Sequence, residues 1–348
     1  MIKVNFQKHI LKFKFDAGTS RGVLKEKETW FIKIFDNVNP DFQGVGECGP
    51  LRGLSIDDIP EFEDQLKNII DLKLYNNLED PLFQKFPSIR FAFEAAFLDL
   101  RNGGTRKIFD NDFYSSKSRI PINGLIWMGA KEFMLNQVKE KLDSGFSCLK
   151  MKVGSIDFET EIEILSTIRS KFGKSISLRL DANGAFLPLN VFEKLRKLEP
   201  FDIHSIEQPI KQGQLEEIAL VCQKSPIPIA LDEELINIYN GNKSILLEKI
   251  KPQYIILKPT LLGGFKMCDE WISLAEKSKV GWWLTSALES NIGLNAISQY
   301  AFEKIKNFNP QPLQGLGTGS LYQNNINSPL QIESGNIFYN QDCTWGEI

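Results

Sequence analysis

Hydrophobic and polar residues alternate in two different rhythms along this chain of 348 residues. The first 45 or so residues hold two strand-like stretches, VNFQKHILKFKF and ETWFIKIFD, which the polar segment DAGTSRGVLKEK joins. Residues 56–102 show helical spacing instead, with Ser55 as the expected N-cap and paired glycines at the end. These patterns predict a β-hairpin followed by helices, and hence an α+β domain over residues 1–118.

From about Ile120 onward, a short apolar strand, a turn and an amphipathic helix recur. The predicted strands are IPINGLI, CLKMKVG, ISLRLDANG, DIHSIEQPI, IPIALDEEL, YIILKPTLL, GWWLTSALES and, more faintly, PLQGLGTG. Strand alternating with helix indicates parallel βα units, and about eight such units close a barrel. We therefore predict an α/β protein with a modified TIM barrel, (β/α)7β, over residues 119–319. An open doubly wound sheet is the alternative, although no GxGxxG follows a strand.

Composition narrows the kind of partner. A formal net charge of −3 argues against a nucleic-acid binder held by phosphate contacts. No apolar run approaches the roughly 18 residues of a membrane span, and the N-terminus lacks a signal-peptide core, so no membrane partner is expected. The five cysteines are scattered without a CxxC pair, which predicts reduced, mostly buried thiols and a cytoplasmic location. A small-molecule substrate is the expected partner, and a homo-oligomer stays open.

Any metal must be bound by oxygen, because the two histidines, His9 and His204, exclude a multi-histidine site. In a barrel of this type, the site forms at the carboxyl ends of the strands. One polar residue lies near each predicted strand end, at nearly constant intervals: Lys152, Asp181, Glu207, Asp232, Lys258 and Ser286.

The order of these charges indicates a chemistry. Three carboxylates on adjacent strands, Asp181, Glu207 and Asp232, are able to converge on one divalent cation. Lys152 and Lys258 flank them on opposite sides, which suits removal of a proton next to a carboxylate. Lysine has a reference pKa of about 10.4, so a lysine base needs a like charge or burial to lower it.

Alternation along the strand places Lys150 beside Lys152, where it supplies that like charge. We therefore predict Lys152 as the acid/base, Lys150 as an electrostatic partner of Lys152 and of a substrate carboxylate, and Lys258 as the cation on the opposite face. Each residue alone has a simpler interpretation: a strand-end acid is usually a turn or cap residue, and a KxK pair is usually solvated. Independent turn residues have no reason to follow this order on five consecutive strands.

For the residues next to this set, a role in the site and a purely structural role are both open. Asn183 shares a face with Asp181 and is either a hydrogen-bonding partner near the metal or a turn residue. Glu233 is either a partner of a metal ligand or an acid at a helix start. Trp282 and Trp283 are expected in the core, and His204 is expected to be structural.

The residues named above lie in the motifs LKMKVG, RLDANGAF, SIEQPI, ALDEEL, ILKPTLLGG and TSALES. Through these motifs, the chain resembles the muconate-lactonizing subgroup of the enolase superfamily. The stretch GVGECGPLRGLS resembles the capping-domain segment GEhxPLxGxS of that superfamily, with matches at Gly46, Glu47, Pro50, Leu51, Gly53 and Ser55. The resemblance implies that residues of about 320–348 complete an α+β capping domain. It also implies Mg²⁺, with Mn²⁺ as the alternative cation, bound by Asp181, Glu207 and Asp232.

Within the subgroup, the chain resembles most the o-succinylbenzoate synthase family. That family dehydrates 2-succinyl-6-hydroxy-2,4-cyclohexadiene-1-carboxylate to 2-succinylbenzoate in menaquinone biosynthesis, a lyase reaction. The resemblance implies that Lys152 removes the proton and Lys258 stabilises the enediolate. It further implies that Ser286 and the backbone at Gly315 and Gly317 meet the succinyl tail, and that the Thr19–Arg21 loop, with Arg21, closes over the site.

The competing resemblance is to dipeptide epimerases and N-acylamino acid racemases, which share the first proton abstraction. Epimerases usually carry a DxD motif after the eighth strand, whereas this chain reads GLGTGSLYQNN there. The absence of an acid favours the synthase, and dual synthase and racemase activity stays open. A scaffold protein without catalysis would be expected to lose Lys152 or a metal ligand, and all of them are present.

Overall fold

The structure is a computed structural model that describes residues 2–19 and 22–348. Its strands are β1 Ile2–Thr19, β2 Gly22–Asp36, β3 Asn39–Cys48, β4 Ile120–Pro121, β5 Gly124–Ile126, β6 Cys148–Lys152, β7 Ser177–Asp181, β8 Ile203–Glu207, β9 Ile229–Leu231, β10 Tyr254–Leu257, β11 Gly281–Leu284, β12 Leu330–Glu333 and β13 Asn336–Tyr339. Its α-helices are α1 Phe62–Asp71, α2 Pro87–Arg101, α3 Lys131–Asp143, α4 Phe158–Phe172, α5 Val191–Leu198, α6 Leu215–Lys224, α7 Asn242–Ile250, α8 Pro259–Leu262, α9 Phe265–Lys277 and α10 Asn291–Ile305. Short 3₁₀ helices span Leu74–Asn76, Pro81–Gln84, Glu199–Phe201 and Glu233–Leu235.

The N-terminal part is an antiparallel sheet in the order β1-β2-β3, covered by α1 and α2. Trp30, Ile32 and Ile34 of β2 point into this small core because alternate residues of a strand share a face. The backbone of α2 lies so close to β3 that a Cβ at Gly46 would be 1.9 Å from the carbonyl oxygen of Ala92. Glycine at this position therefore allows the helix to pack against the sheet.

The predicted helix cap at Ser55 is wrong. The first helix, α1, begins at Phe62, and the Ser55 hydroxyl instead accepts a hydrogen bond from the backbone N–H of Leu51 at 2.7 Å. The backbone N–H of Ser55 returns a bond to the carbonyl oxygen of Leu51 at 2.9 Å. Ser55 thus closes a five-residue turn, a local alternative that serine side chains offer to helix capping.

The barrel contains a curled parallel sheet in the order β11-β10-β9-β8-β7-β6-β5. An eighth, very short strand at Gln314 and Gly315 pairs in parallel with Ile122 on one side and Thr285 on the other. A Cβ at Gly315 would be 2.4 Å from the Thr285 hydroxyl, so the close approach requires glycine. These bridges join the two edges of the sheet, which confirms the α/β barrel prediction and explains why the last strand was faint in the sequence.

Large side chains fill the lower barrel and its outer shell, as predicted for Trp282 and Trp283, which are both buried. Trp283 packs with Ala230 and Ile256 inside the barrel. The register between β7 and β8 shifts near His204. The ring of His204 stacks on the ring of Tyr254, with 5.0 Å between the two centroids. His204 is therefore half-buried against aromatic rings of the lower barrel, in line with the structural role expected for it.

The C-terminal segment returns to both parts of the molecule. Tyr322 bridges to Phe13 of β1, and the Lys33 side chain donates to the carbonyl oxygen of Ile348. The β12–β13 hairpin pairs with β4 instead, immediately before the first barrel strand. The division into residues 1–118, 119–319 and 320–348 stays a prediction. Among the described residues, no helix is both long and apolar enough to cross a membrane.

Candidate active site

The carboxyl ends of the barrel strands bring the predicted charged residues together. Lys152, Asp181 and Glu207 are the last residues of β6, β7 and β8, and they are register neighbours across the sheet. Asp232 and Lys258 follow directly after β9 and β10. All five side chains are buried, so their charges interact through the protein interior rather than through water.

Each lysine of this cluster is bound to carboxylates. The Lys150 ammonium lies 2.9 Å from Asp181 Oδ2 and 2.5 Å from Glu207 Oε2, so it bridges two adjacent strands. Lys258 bridges the next pair, with an ion pair to Asp232 and a Nζ to Oε1 distance of 3.7 Å to Glu207. Lys152 is bound from one strand only, with Asp181 Oδ2 at 3.0 Å.

Asn183 completes the surroundings of Lys152. Its Oδ1 accepts a hydrogen bond from Lys152 Nζ at 2.7 Å, and its Nδ2 donates to Glu233 Oε1 at 3.1 Å. Asn183 has a φ of 44°, a left-handed conformation that asparagine tolerates better than most residues. Asn183 is therefore a turn residue and, at the same time, a hydrogen-bonding partner of Lys152.

The three lysines differ in pKa although all are buried. Burial lowers the pKa of Lys152, the charge of Asp181 opposes this, and the ammonium of Lys150 lowers it further. For Lys150 burial acts in the same direction, but the charges of Asp181 and Glu207 prevail and raise its pKa above the usual range. Asp232 and Glu207 likewise outweigh burial at Lys258 and raise its pKa. Lys152 is therefore the lysine of this cluster that most readily loses its proton.

The carboxylates also differ. Burial would raise the pKa of Asp181, but Lys150 and Lys152 lower it well below its usual range. Burial raises the pKa of Glu207 to about 7, and the charge of Asp181 adds to this effect. The pKa of Asp232 is also raised, chiefly by burial. Glu207 and Asp232 are thus the two carboxylates of the cluster at which burial outweighs the charge of the neighbouring ammonium groups.

The donor set fits a hard divalent cation. Asp181, Glu207 and Asp232 offer oxygen ligands on three consecutive strands, and neither oxygen of Glu207 accepts a hydrogen bond of regular geometry. Across residues 2–19 and 22–348, no three acidic, histidine or cysteine side chains converge as a ready-made metal cage. The bridging ammonium groups of Lys150 and Lys258 provide the positive charge between the carboxylates.

A cavity of about 280 Å³ opens above this cluster, between the barrel mouth and the N-terminal sheet. Four cationic residues, Arg52, Lys150, Lys152 and Lys258, line it. Asp181 is the one acidic residue among the described lining residues. The apolar wall consists of Val23, Leu24, Leu51, Leu125, Trp127, Ala287 and Leu288. Such a cavity favours a compact apolar ligand that carries negative charge.

Most of the residues predicted to bind substrate line the cavity. Ser286, Asn183, Gly315 and Gly317 line the cavity. Glu233 is buried behind Asn183 and does not belong to the lining. Arg21, predicted to close over the site, lies outside the described residues together with Ser20.

The Ser286 hydroxyl takes part in three hydrogen bonds within the protein. It donates to Glu289 Oε2 at 2.5 Å and accepts from the Thr318 hydroxyl at 2.9 Å and from the backbone N–H of Leu288 at 3.0 Å. Glu289 is fully buried and also accepts a hydrogen bond from Thr260. A serine hydroxyl has one donor, so Ser286 presents no free donor to an anionic ligand in this arrangement.

Known proteins share this arrangement of elements. A family model described as "Enolase C-terminal domain-like" matches residues 134–341. An o-succinylbenzoate synthase from Desulfotalea psychrophila is 42% identical, with 96% of this chain and 98% of the relative covered. The chain belongs to the enolase superfamily.

Other superfamily members support the same placement. The crystal structure of MenC from Desulfotalea psychrophila superposes with a TM-score of 0.83 at 38% identity, over 97% of this chain and 99% of that chain. An N-succinylamino acid racemase from Amycolatopsis is 25% identical over 92% of this chain and 87% of its own length. A dipeptide epimerase from Enterococcus faecalis, complexed with Mg and L-Leu-L-Tyr, shares the fold with a TM-score of 0.83 at 19% identity over 99% of this chain and 98% of that chain.

The sequence patterns did not predict several residues that line the cavity: Arg52, Asn123, Trp127 and Thr318. Trp127 follows directly after β5, and its ring lies 5.8 Å from Lys152 Nζ, so the strand-end rule would have found it had it included aromatic residues. Arg52 occupies a variable position of the GEhxPLxGxS segment, where the motif itself says nothing of charge.

Proposed function

We propose that this chain is an o-succinylbenzoate synthase, a lyase that dehydrates 2-succinyl-6-hydroxy-2,4-cyclohexadiene-1-carboxylate to 2-succinylbenzoate. The observation that carries the proposal is the cavity, whose lining combines four cationic residues and an apolar wall with a single described acid. The substrate is a compact ring with two carboxylates, so its charge and shape complement this lining. The identity of 42% to a synthase over nearly the whole chain supports the same assignment.

Asp181, Glu207 and Asp232 would hold Mg²⁺, with Mn²⁺ as an alternative. When bound, the ion supplies positive charge that stabilises the carboxylate oxygens of the substrate as they gain negative charge. Its presence would also satisfy the oxygens of Glu207 that accept no regular hydrogen bond. Lys150 then contributes its charge from beneath, because its ion pairs with Asp181 and Glu207 keep it protonated.

The acid/base work falls to Lys152. In its neutral form, Lys152 removes the proton from the ring carbon next to the carboxylate, and the electron pair of that bond moves into the carboxylate as an enediolate. Lys258, on the other side of the carboxylates, stabilises the enediolate by its charge. The electrons then return to form the new ring double bond, the C–O bond to the hydroxyl breaks, and Lys152 returns its proton so that water leaves.

A racemase acting on N-succinylamino acids is the second candidate. Such a substrate is also a dicarboxylate, and the same proton abstraction would begin its racemisation. A dipeptide substrate is favoured less, because its ammonium group needs an acid and the described lining holds Asp181 alone, which Lys150 and Lys152 already neutralise.

The decisive experiment assays the purified protein with Mg²⁺ against the cyclohexadiene substrate, N-succinylamino acids and a panel of L,L-dipeptides. We expect turnover of the first, with kcat/KM above that for every other compound. Efficient epimerisation of a dipeptide without dehydration of the cyclohexadiene would refute the proposal. Dehydration together with racemisation of an N-succinylamino acid would establish dual activity.

We also propose a cytoplasmic location. All five cysteines are free thiols, and Cys343 alone among them is partly exposed, which suits a reducing compartment.

A further inference from the structure

A short, closed turn of the N-terminal domain presents Arg52 to the cavity. Leu51 and Ser55 close this turn through reciprocal hydrogen bonds, and the backbone N–H of Gly53 donates to Asp58 Oδ2 at 2.8 Å. Gly53 has a φ of 73°, which permits the tight reversal directly after Arg52. The backbone beneath Arg52 is therefore well held, although the side chain itself is exposed.

Arg52 lacks a partner within the part of the chain that the structure describes. No hydrogen bond or ion pair of its side chain occurs there, whereas Arg90 and Arg106 both pair with carboxylates. An arginine carries five N–H donors in a planar fork that matches a carboxylate. Arg52 thus retains its full binding capacity at the cavity wall.

On the other side of the cavity, every lysine of the described lining is already paired with a carboxylate of the cluster. Lys150 and Lys258 are each bound to two carboxylates of the cluster, and Lys152 is the proposed base. The Ser286 hydroxyl donates to Glu289 and has no second hydrogen to donate. Apolar side chains, among them Leu51 and Leu288, complete the wall between these groups.

We infer that Arg52 binds the distal carboxylate of the succinyl chain and thereby selects substrates that carry one. The inference rests on the proposed function and extends it to a specificity-determining residue. The ring carboxylate goes to the charged cluster at the barrel mouth, the ring and methylene groups contact the apolar wall, and the tail carboxylate accepts two N–H bonds from the guanidinium. A dicarboxylate is thus bound at both ends, by parts of the chain that lie about 100 to 200 residues apart.

The test compares the binding of two ligands to the full-length, Mg²⁺-loaded protein by calorimetry. The product 2-succinylbenzoate carries the tail carboxylate, and 2-butyrylbenzoate has a methyl group in its place. We expect the wild type to prefer 2-succinylbenzoate at least about tenfold, the effect of one charge-assisted pair. In Arg52→Met this preference should fall to about one, and Arg52→Lys should retain part of it.

Arg196→Met provides the matched control, because Arg196 is exposed on α5 and does not line the cavity. It should keep the wild-type preference, and thermal melting should show that all variants are folded. A preference in Arg52→Met equal to that of the wild type would overturn the inference while leaving the synthase proposal intact. A wild-type protein that neither binds 2-succinylbenzoate nor dehydrates the cyclohexadiene substrate would overturn both.

Discussion

Lys150 and Lys152 are two residues apart on one strand, and their surroundings move their pKa values in opposite directions. Lys150 contacts two carboxylates, whose charges outweigh the cost of burial and keep it protonated. Lys152 contacts one carboxylate and an amide, so burial prevails and lowers its pKa. The like charge of Lys150 lowers the pKa of Lys152, as predicted from the sequence, but burial is the larger cause. One strand therefore carries a lysine whose pKa is raised and a lysine, the proposed acid/base, whose pKa is lowered.

Replacing Lys152 by alanine should abolish turnover without unfolding the protein. General acid/base catalysis contributes about 10² to 10⁴ in rate, and Lys152 is proposed to act as both acid and base, so we expect kcat to fall at least about 10³-fold. Asp181 keeps its ion pair with Lys150 in this variant. Steady-state kinetics and thermal melting check the two parts of the prediction.

The exposed Lys131, which pairs with Glu163 outside the cavity, supplies the control for Lys152. Lys131→Ala should keep wild-type kcat. Turnover retained in folded Lys152→Ala would show that another group takes the proton.

Removal of divalent cations should stop turnover, and Mg²⁺ should restore it, because the enediolate loses most of its stabilising charge without the metal. Mg²⁺ should also raise the melting temperature of the metal-free protein in a saturable way, since a ligand that binds the native state stabilises it. Glu207→Gln should lose that shift, because it removes one of the three proposed carboxylate ligands.

Asp202→Asn, a change at an exposed acid paired with Lys174, should keep the full Mg²⁺-dependent shift. Full activity after exhaustive chelation would contradict the proposed metal site.

At the scale of elements, α4 holds the loop that follows Lys152. Gly154 has a φ of 100°, and its backbone N–H donates to Glu161 Oε1 on α4 at 2.6 Å. A Cβ at Gly154 would be 2.4 Å from that of Ala185, so the loop also lies close to the next βα loop. The end of β6 is thereby tied to its own helix and to the neighbouring strand end.

The Glu161 contact should make stability depend on pH. Burial raises the pKa of Glu161 to about 7, so the folded protein holds this proton where the unfolded chain releases it. Its contribution to the free energy of unfolding is complete below about pH 4.5, falls as pH rises, and is lost above about pH 7. Glu161→Gln keeps the acceptor oxygen and should reduce the stability loss between pH 5 and 8 by up to about 3 kcal/mol.

Urea unfolding at pH 5 and pH 8 measures this difference. Glu159→Gln, on the same helix but exposed and paired with Lys197, should leave the pH dependence as it is in the wild type. Equal losses in Glu161→Gln and wild type would refute the raised pKa of Glu161.

At the scale of the whole molecule, one buried carboxylate joins the N-terminal sheet to the barrel. Glu47, at the end of β3, accepts hydrogen bonds from the backbone N–H groups of Ser290 and Gly293, both at 2.8 Å. These groups stand at the start of α10, where a helix attracts negative charge. Thr29 of β2 donates to the same carboxylate, so the contact continues into the sheet. Ser290 directly follows Glu289 in the chain, and Glu289 accepts a hydrogen bond from Ser286 at the cavity.

Glu47→Ala should therefore destabilise the protein and impair turnover together. Loss of a buried charged acceptor with several donors costs about 2 to 5 kcal/mol. Urea unfolding and kcat/KM measure the two effects, and Glu28→Ala serves as the control because Glu28 pairs with Lys8 at the surface. A loss of stability no larger than in Glu28→Ala would show that Glu47 does not couple the two parts.

Much of the candidate site could be predicted because parallel strands end at the same edge. Lys152, Asp181 and Glu207 recur once per βα unit, and the topology alone brings them together. The role of Ser55 could not be read from its position, because a serine serves a turn or a helix start equally well until the neighbouring backbone is placed. Arg52 reaches the cavity from a loop of the N-terminal part, through packing that no local pattern encodes. Trp127 lies at the end of the first barrel strand, where a rule for polar strand-end residues does not cover an aromatic side chain.

By itself, the sequence determined the barrel, the set of strand-end residues and their chemical class, since hydrophobic periodicity and residue order depend only on local geometry. The tertiary structure decided which carboxylates each lysine contacts, and hence at which lysine burial lowers the pKa. It also decided that Arg52 lines the cavity, where Asp181 is the one acid among the described lining residues. Ion pairing and burial depend on distances between residues far apart in the chain, and only the folded molecule sets those distances.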